Sequence, residues 1–567
     1  MLVATVVLIE MVAVSKLHRR LLTVMMVAMT TILAFAASPE TARAADAGAI
    51  TIGGDVATQY DAYQLFSATV TDKAGSDQKV ATDLAWASDA ARQAVLPVLY
   101  DAGFDSSAST AQEAAEWLNA DGHMSTALAA RLACAICNAG AASVPLNAGM
   151  AAELPCGYWL IVADDDAIDQ GEAGTAPIMA LVGGGAVTVK PKAATPKVAK
   201  HVLEDSTAAW QKAADATVAD DLYWRLSATV PAGFTAYDTY TVRFVDTMSA
   251  GLDPSKVAAS MRVYAAAGAD GGFDAVSAGK DGRAGTEPAK GWTDITAQCA
   301  TKVAADGKTF TVRTGDLIAA LGGADAFTAG ARVVVVYNAP LNSACNHGIA
   351  KGNPNEVYLR YPRSPFADQS GDAGFTRTPS DDACAYTWDL ALTKRGSDGD
   401  KPLAGAVLSI TDDRGRTLSA DGTWDAEGKA TVTTGEDGRV TVSGVDSGKL
   451  EVRELKAPKG YTAFEGTRSV TVKAEGLDVD QVAAAKPKLT ITAESPLRAD
   501  SADGSTGSLE ASLINTPTGT PPSITTGGFM PSTGDMAMYA AAAAAVAGAA
   551  LIVVALLVKR GGGSHKE

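Results

Sequence analysis

Short runs of alternating apolar and polar residues, separated by Gly, Asp and Pro, fill residues 196–377 and again residues 385–515. Because successive side chains of a strand point to opposite faces, such runs are typical of strands with one buried face. The clearest stretch is KATVTTGEDGRVTVSGV at residues 429–445, where two alternating runs flank a turn and predict a hairpin. Many short strands between turns favour sandwiches. We therefore predict a mainly β chain with two immunoglobulin-like β-sandwich domains in tandem.

Residues 45–195 show a mixed pattern, which predicts a separate N-terminal domain. Strand-like runs open this region with AITIGG and YDAYQLFSATV, and YWLIVA returns to a strand near its end. Between them, an alanine-rich stretch over residues 83–142 predicts two or three helices. The sequence thus indicates a mixed α/β domain, with a helical insertion, ahead of the two sandwiches.

Both ends of the chain predict export. A basic stretch at residues 16–20 precedes an apolar run over residues 21–37, and Ala42 and Ala44 form a small-x-small cleavage site. This order predicts that residues 1–44 are a signal peptide. At the other end, Lys559 and Arg560 follow the apolar residues 536–558. At about 1.5 Å per residue, this run is long enough to cross a hydrocarbon core of about 30 Å. We therefore predict a C-terminal transmembrane helix.

Composition argues against several functions. The formal net charge of −17 would repel a phosphate backbone, so nucleic acid is excluded as a partner. Six cysteines permit disulfides in an exported chain. The lone C-x-x-C at Cys134 has no second pair, and the acidic run from Asp164 lacks the spacing of a calcium loop, so no metal or cofactor is predicted. Between the two ends the only histidines are His123, His201 and His347, without a recognisable catalytic arrangement, so we predict no enzyme.

One improbable pattern occurs twice. In PKVAKHV, Lys200 shares the strand face of Val198 and Val202, so a core-facing valine pair places the lysine in the core as well. An acid and then an asparagine follow at positions that are also in phase with apolar residues, and the second region repeats this order. The members are Lys200, Asp246 and Asn355 in the first region, and Lys394, Glu454 and Asn515 in the second. A buried ammonium is costly unless it is paired or neutralised.

Each trio contains the groups for one specific reaction. Burial lowers the pKa of a lysine and raises that of a carboxyl, so both groups can be neutral. The amine can then attack the asparagine carboxamide with help from the acid, and ammonia leaves. The product is an amide that links the first and last strands of a sandwich. The alternative is a buried ion pair that hydrogen-bonds the asparagine without forming a bond.

Several segments resemble the isopeptide-forming major pilins of Gram-positive bacteria. Similarity to the N-terminal domain of that family lies in YDAYQLF, and similarity to its middle domain lies in VDTMSAGL and GNPNEVYL. Similarity to the collagen-adhesin B-type domain lies in KPLAGAVLSI, ELKAPKGY and LINTP. The resemblance implies an amide between the lysine and the asparagine of each trio, assisted by Asp246 in the first and by Glu454 in the second.

A pentapeptide stands just ahead of the apolar C-terminal run: Met530, Pro531, Ser532, Thr533 and Gly534. It resembles the Leu-Pro-x-Thr-Gly sorting signal of Gram-positive surface proteins, with Met keeping the apolar bulk of Leu. The resemblance implies that residues 530–567 are a sorting signal and that a class C-type or housekeeping sortase cleaves between Thr533 and Gly534. The alternative is an ordinary membrane anchor behind a chance turn. Residues 516–529, rich in Thr, Pro and Gly, predict a wall-spanning linker.

The segment VTVKPK at residues 187–192 fits a Val-x-Val-Tyr-Pro-Lys motif, in which major pilins carry the lysine that accepts the preceding subunit. The resemblance implies that Lys192 is this inter-subunit acceptor. Two positions depart from the motif, because Lys190 replaces the Tyr and Gly183 stands where the family has a Trp. An ordinary linker lysine, or acceptance by Lys190 or Lys197, is the alternative.

These resemblances imply a shaft pilin, a structural subunit of a covalent pilus on the cell surface. Such a chain would be secreted, transiently membrane-anchored as a precursor, and finally anchored in the cell wall. Its implied partners are a sortase, other pilin subunits, peptidoglycan and a host surface ligand. It would turn over no substrate, since each amide forms once within its own domain. The alternative is a wall-anchored monomeric adhesin or minor pilin that binds a host ligand.

Overall fold

The computed structural model describes residues 47–53, 59–73, 76, 78–120, 122–164, 167–168, 171–191, 195–231, 237–268, 290–323, 330–365 and 369–519. Most elements in this part of the chain are strands, so the prediction of a mainly β protein is confirmed. None of the helices within these ranges is long and apolar enough to span a bilayer. The predicted signal peptide, transmembrane helix, sorting signal and Lys192 lie outside the described residues.

The N-terminal part combines two small sheets with three helices. Its elements are β1 (Ala47–Ile52), β2 (Gln59–Asp72), β3 (Lys79–Trp86), α1 (Asp89–Asp101), α2 (Ala111–Asn119), α3 (Thr126–Asn138), β4 (Val144–Asn147), β5 (Ala151–Pro155), β6 (Gly157–Ala163), β7 (Ile178–Val182) and β8 (Val187–Val189). One sheet has the order β5-β1-β8 and the other β3-β2-β6-β7, with β4 also paired to β2.

The three helices begin at Ser88, Thr110 and Ser125, whose side-chain oxygens accept hydrogen bonds from backbone N–H groups of the first turn. Their apolar faces form one core with residues of β2 and β6, including Phe66 and Leu160. The helices predicted over residues 83–142 are therefore confirmed.

The middle sandwich contains two facing sheets. Its elements are β9 (Lys197–Glu204), β10 (Ala209–Gln211), β11 (Ala213–Asp215), β12 (Tyr223–Val230), β13 (Arg243–Met248), α4 (Val257–Ser260), β14 (Arg262–Ala267), β15 (Thr293–Asp294), β16 (Ala300–Val303), β17 (Thr309–Arg313), α5 (Leu317–Ala320), β18 (Ala331–Asn338), β19 (Asn353–Pro362), β20 (Phe375–Arg377) and β21 (Asp381–Tyr386). The sheets run β10-β9-β12-β18-β14-β15 and β11-β21-β19-β13-β17-β16, with β20 on β19. Strand β21 continues the second sheet beyond residue 377, where the sequence pattern fades.

The C-terminal sandwich also contains two facing sheets. Its elements are β22 (Trp388–Gly396), β23 (Val407–Thr411), β24 (Thr417–Leu418), β25 (Trp424–Asp425), β26 (Val432–Thr433), β27 (Arg439–Val445), β28 (Gly448–Lys456), β29 (Tyr461–Thr462), β30 (Thr467–Glu475), β31 (Lys488–Ala493), β32 (Leu497–Asp503) and β33 (Ser508–Pro517). The sheets run β27-β22-β33-β29, with β32 on β33, and β25-β24-β23-β28-β30-β31, with β26 on β23. The first and last strands, β22 and β33, are parallel neighbours.

The prediction of a hairpin at residues 429–445 is wrong. The turn exists, because the N–H of Gly438 donates to the carbonyl of Gly435 at 2.9 Å. The strands on either side belong to different sheets, however, since β26 pairs with β23 and β27 pairs with β22. Val432, Val440 and Val442 enter the same core from the two facing sheets. Alternation gives the buried face of each run, but it does not distinguish a hairpin from a crossing between sheets.

The two sandwiches meet at a buried joint. A single residue, Thr387, separates β21 from β22, and its side chain is buried. Asp215, at the end of β11, accepts hydrogen bonds from the indole Nε1 of Trp388 at 2.6 Å and from the hydroxyl of Ser447 at 2.5 Å. A residue of the middle sandwich thus binds two residues of the C-terminal sandwich.

Two further contacts close the joint. Asp220 accepts two hydrogen bonds from the guanidinium of Arg416, at 2.5 and 2.8 Å, a bidentate geometry that fixes orientation. Gly444 approaches Val218 so closely that a Cβ at this position would lie 2.3 Å from a valine methyl group. Its φ of +68° also suits glycine. Any side chain at residue 444 would therefore push the two sandwiches apart.

Carboxyl groups gather at the same joint. Burial, reinforced by the charge of Asp215, raises the pKa of Glu204 to about 7. Burial also raises the pKa values of Asp205 and Asp446. Because these pKa values lie above those of the unfolded chain, the folded joint favours the protonated acids. For Glu204 the resulting stabilisation is present below the unfolded pKa of about 4.3 and is lost as the pH rises through about 7.

We expect Glu204→Gln to remove much of this pH dependence, because the amide resembles the protonated acid. As the pH rises from about 5 to about 8, the melting temperature of the wild-type protein should fall relative to that of this variant. Thermal unfolding followed by circular dichroism, with both proteins in the same buffers, measures the difference. Parallel curves for the two proteins across this range would contradict the assignment of Glu204 as the titrating group.

Candidate functional site: two buried lysine, acid and asparagine clusters

The first cluster lies between the sheets of the middle sandwich and consists of Lys200, Asp246, Asn355 and a fourth residue, Tyr337. Lys200 and Tyr337 come from β9 and β18 of one sheet, whereas Asp246 and Asn355 come from the adjacent strands β13 and β19 of the facing sheet. Asn355 lies opposite Met248, two residues from Asp246, so the two polar side chains share one face. All four cluster residues are fully buried.

A tyrosine hydroxyl connects the other three groups of the first cluster. Lys200 Nζ forms an ion pair with Asp246 Oδ2 and donates a hydrogen bond to Tyr337 Oη at 2.9 Å. Tyr337 Oη donates to Asp246 Oδ2 at 3.0 Å and accepts from Asn355 Nδ2 at 2.8 Å. Within the described residues, Asp246 Oδ1 and Asn355 Oδ1 accept no hydrogen bond. A buried acceptor without a donor is costly, and a proton on the Asp246 carboxyl would supply a donor.

Burial sets the electrostatics of this cluster. It lowers the pKa of Lys200 to about 8, against the opposing attraction of Asp246. It also raises the pKa of Asp246. Both shifts favour transfer of a proton from the amine to the acid, which leaves a neutral amine beside a neutral acid. A neutral lysine amine is a nucleophile, so the cluster can support attack on the neighbouring carboxamide.

The second cluster lies in the C-terminal sandwich and consists of Lys394, Glu454 and Asn515. Lys394 and Asn515 come from the parallel neighbours β22 and β33, where Lys394 pairs with Leu513 and Gly396 pairs with Asn515. Glu454 approaches from β28 of the facing sheet. The side chains of Lys394 and Glu454 are fully buried. The three groups therefore meet in the core, although the asparagine shares a sheet with the lysine rather than with the acid.

Glu454 connects the second cluster directly. Its two carboxylate oxygens accept hydrogen bonds from Asn515 Nδ2 at 2.9 and 3.0 Å, and Oε1 lies 3.7 Å from Lys394 Nζ. Lys394 Nζ also donates to the carbonyl of Leu513 at 3.1 Å. Burial lowers the pKa of Lys394 to about 8, which again favours the neutral amine. Asn515 Oδ1 accepts no hydrogen bond from the described residues.

A third buried lysine offers a contrast. Lys212 Nζ forms an ion pair with Asp381 and donates to the carbonyls of Lys200 at 2.8 Å and Asp382 at 3.2 Å. Three oxygens thus accept its three N–H groups, and the Asp381 side chain is partly exposed to water. These are the contacts of a structural ion pair.

The structure places the members of each predicted trio together, but strand parity did not identify Tyr337. A tyrosine in phase with the core residues Val333 and Val335 looks like ordinary packing, so the sequence carries no signal for its role. The strand positions also differ between the clusters. Lys394 and Asn515 lie on the first and last strands of their sandwich, whereas β20 and β21 follow the strand of Asn355.

The predicted acceptor Lys192 and the pentapeptide at residues 530–534 lie outside the described residues. The two alternative acceptors are described. Lys190 directly follows β8, Lys197 begins β9, and both are exposed. The lysines that flank residue 192 in the chain are therefore accessible from solvent.

Comparison with known proteins identifies a domain in the C-terminal sandwich. Residues 389–486 match the SpaA prealbumin-like fold domain. The match includes Lys394 and Glu454 and ends before Asn515.

A curated relative is the trypsin-resistant surface T6 protein of Streptococcus pyogenes serotype M6, which is 30% identical over 145 residues. The matched segment makes up 24% of this chain, and it spans about a quarter of the length of that relative. A solved structure of the T6 backbone pilin has 16% identity and a TM-score of 0.46, over 85% of this chain and 100% of that chain. The major pilin SpaD of Corynebacterium diphtheriae has 15% identity and a TM-score of 0.41, over 83% and 97%.

Asp246→Ala should strongly destabilise the middle sandwich. The change leaves Lys200 buried without a counter-charge, so we expect the free energy of unfolding to fall by about 3–5 kcal/mol. Urea unfolding followed by tryptophan fluorescence measures this loss. A double variant, Lys200→Met with Asp246→Leu, removes both charges and should recover most of the loss that arises from the unpaired charge. Equal stability of wild type and Asp246→Ala would contradict the dependence of Lys200 on this acid.

Proposed function

We propose that this chain is the structural shaft subunit of a covalently polymerised pilus, and that each sandwich closes one amide bond between a lysine and an asparagine. One observation carries the proposal: two buried clusters each hold an amine, a carboxyl group and a carboxamide within one polar network, which Tyr337 connects in the first cluster and Glu454 in the second. The similarity to a surface protein of Streptococcus pyogenes supports a place on the cell surface. The SpaA domain match supports the same class of protein.

The second cluster has the simpler reaction path. The neutral amine of Lys394 attacks Cγ of Asn515, so that a new N–C bond forms. The bond between Cγ and Nδ2 breaks, and Nδ2 leaves as ammonia. Glu454 lies beside both nitrogens and can take a proton from Nζ and return one to Nδ2. The reaction requires neither cofactor nor oxidant, and it occurs once per molecule.

The position of this amide suits a load-bearing subunit. Since β22 and β33 are parallel, the chain enters and leaves this sheet at opposite ends, and tension shears the two strands. An amide between Lys394 and Asn515 would pass the force from the first strand directly to the last. The chain between these two residues would then carry no load. A bond between Lys200 and Asn355 would likewise tie the facing sheets of the middle sandwich.

Polymerisation would join the segment behind the C-terminal sandwich of one subunit to the segment between the N-terminal part and the middle sandwich of the next. A class C-type or housekeeping sortase would cleave between Thr533 and Gly534 and transfer the Thr533 carbonyl to the amine of Lys192 on the next subunit. The last subunit would be transferred to peptidoglycan instead. The exposed positions of Lys190 and Lys197 support an acceptor in this segment.

Mass spectrometry of protease-digested full chain tests the two amides. We expect two cross-linked peptides, one joining Lys200 to Asn355 and one joining Lys394 to Asn515, each lighter by one ammonia than its parts. Asp246→Ala should remove only the first cross-link and Glu454→Ala only the second, because each acid serves its own cluster. Lys212→Met is the matched control and should keep both. Folded wild-type protein without either cross-link would reduce the clusters to buried ion pairs.

Polymerisation is tested by a blot of wall extracts after boiling in detergent. Lys192→Ala should abolish the ladder of multimers and leave an exported, wall-anchored monomer, because only the acceptor amine is lost. Deletion of residues 530–534 should abolish both the ladder and the anchoring. Lys190→Ala and Lys197→Ala are the matched controls and should keep the ladder. A ladder that vanishes in one of these controls would move the acceptor to that lysine, whereas monomer alone in wild type would favour an adhesin.

A further inference from the structure

Tyr337 has a position in the first cluster that the proposed bond formation leaves unexplained. Its Oη lies 2.9 Å from Lys200 Nζ, the attacking nitrogen, and 2.8 Å from Asn355 Nδ2, the leaving nitrogen. The hydroxyl is therefore the hydrogen-bonded neighbour that both reacting nitrogens share.

The chemistry requires a proton carrier at this point. After the amine has attacked, Nζ carries a positive charge and an excess proton, and Nδ2 must gain a proton to leave as ammonia. Direct expulsion of an amide anion is prohibitive, so the transfer from Nζ to Nδ2 needs a positioned group that both donates and accepts. A hydroxyl can do both at once.

In the second cluster, the proposed function assigns this proton transfer to Glu454. There the carboxylate of Glu454 contacts the leaving nitrogen at 2.9 and 3.0 Å and lies 3.7 Å from the attacking nitrogen. Within the described residues, no tyrosine hydrogen-bonds to Lys394, Glu454 or Asn515. In the first cluster, by contrast, the only described hydrogen bond of the Asn355 side chain goes to Tyr337. Asp246 therefore has no direct hydrogen bond to the leaving nitrogen and contacts it only through Tyr337.

We propose that Tyr337 is a catalytic residue of the first cluster, which carries a proton from Lys200 Nζ to Asn355 Nδ2, as Glu454 does in the second cluster. This inference rests on the proposed amide formation. Asp246 first takes one proton from the Lys200 ammonium, and the neutral amine attacks Cγ of Asn355. Tyr337 Oη then gives its proton to Nδ2 and takes one from Nζ. The Cγ–Nδ2 bond breaks, ammonia leaves, and the tyrosine ends as it began.

The surroundings of Tyr337 support this role. The side chain is fully buried, and burial raises the pKa of its phenol well above the ordinary value. The phenol therefore stays protonated in the folded domain, and it can give this proton to Nδ2 as it takes another from the positively charged Nζ. The ring is held by Phe310 in an edge-to-face contact with centroids 5.0 Å apart, so the hydroxyl has little freedom to turn away.

The test compares the two bonds within one molecule. Full chain is made in a pulse of labelled amino acids, and the two cross-linked peptides are measured by mass spectrometry at intervals afterwards. Tyr337→Phe keeps the ring and removes only the hydroxyl. We expect the bond between Lys200 and Asn355 to form about 100-fold more slowly in this variant, while the bond between Lys394 and Asn515 forms at the wild-type rate. The second bond thus reports that the C-terminal sandwich of the same molecule has folded.

Phe310→Leu is the matched control for packing, because it loosens the tyrosine ring but leaves the hydroxyl. It should slow the first bond much less than Tyr337→Phe does, and equal slowing in the two variants would overturn the proposal. Wild-type rates of both bonds in Tyr337→Phe would also overturn it, while leaving the amides themselves established. Absence of both amides from folded wild-type protein would instead refute the proposed function.

A second variant covers the case in which Tyr337→Phe forms neither bond. Incorporation of 3-fluorotyrosine at position 337 keeps the ring and hydroxyl but makes the phenol a stronger acid. A changed rate of the first bond, with the second bond unaffected, supports proton transfer through this hydroxyl. An unchanged rate of the first bond overturns it.

Discussion

A lysine amine without exposed surface is the constraint on which both sandwiches depend. Removing an ammonium from water is costly, so a partner must take its charge or its proton. In both clusters the partner acid comes from the facing sheet, Asp246 for Lys200 and Glu454 for Lys394. The strands that carry the lysine and its acid must therefore be aligned so that the two side chains meet in the core. A slip by one residue would turn the lysine out of the core and leave its acid buried alone.

The two clusters use the same order of residues along the chain but different geometries in space. In the first, the asparagine shares a sheet with the acid, whereas in the second it shares a sheet with the lysine. This difference decides which group touches the leaving nitrogen. Glu454 faces both strands that would be joined, so it reaches both nitrogens. Asp246 lies beside Asn355 on a neighbouring strand, and Tyr337 fills the gap from the other sheet.

Strand parity was sufficient to select six buried polar residues from the sequence, because a strand has only two faces and the apolar neighbours mark the inner one. It could not supply what depends on distance between strands. Tyr337 lies among core valines on its own strand, and its role arises only from three groups on other strands. The failed hairpin has the same cause, since Val432 and Val440 meet the same core from facing sheets. The buried face of a strand follows from its own sequence, whereas the strands and side chains that it contacts are set by tertiary packing.

The short connection at Thr387 has a consequence for any assembly of this chain. Its backbone carbonyl accepts a hydrogen bond from Gly348 at 3.0 Å, and its hydroxyl donates to the carbonyl of Val445 at 3.2 Å. One buried, hydrogen-bonded residue between two strands leaves the joint little backbone freedom for one sandwich to rotate against the other. Torque applied to one sandwich would therefore pass largely to its neighbour. The torsional compliance of a fibre built from this chain would have to come from other connections than this one.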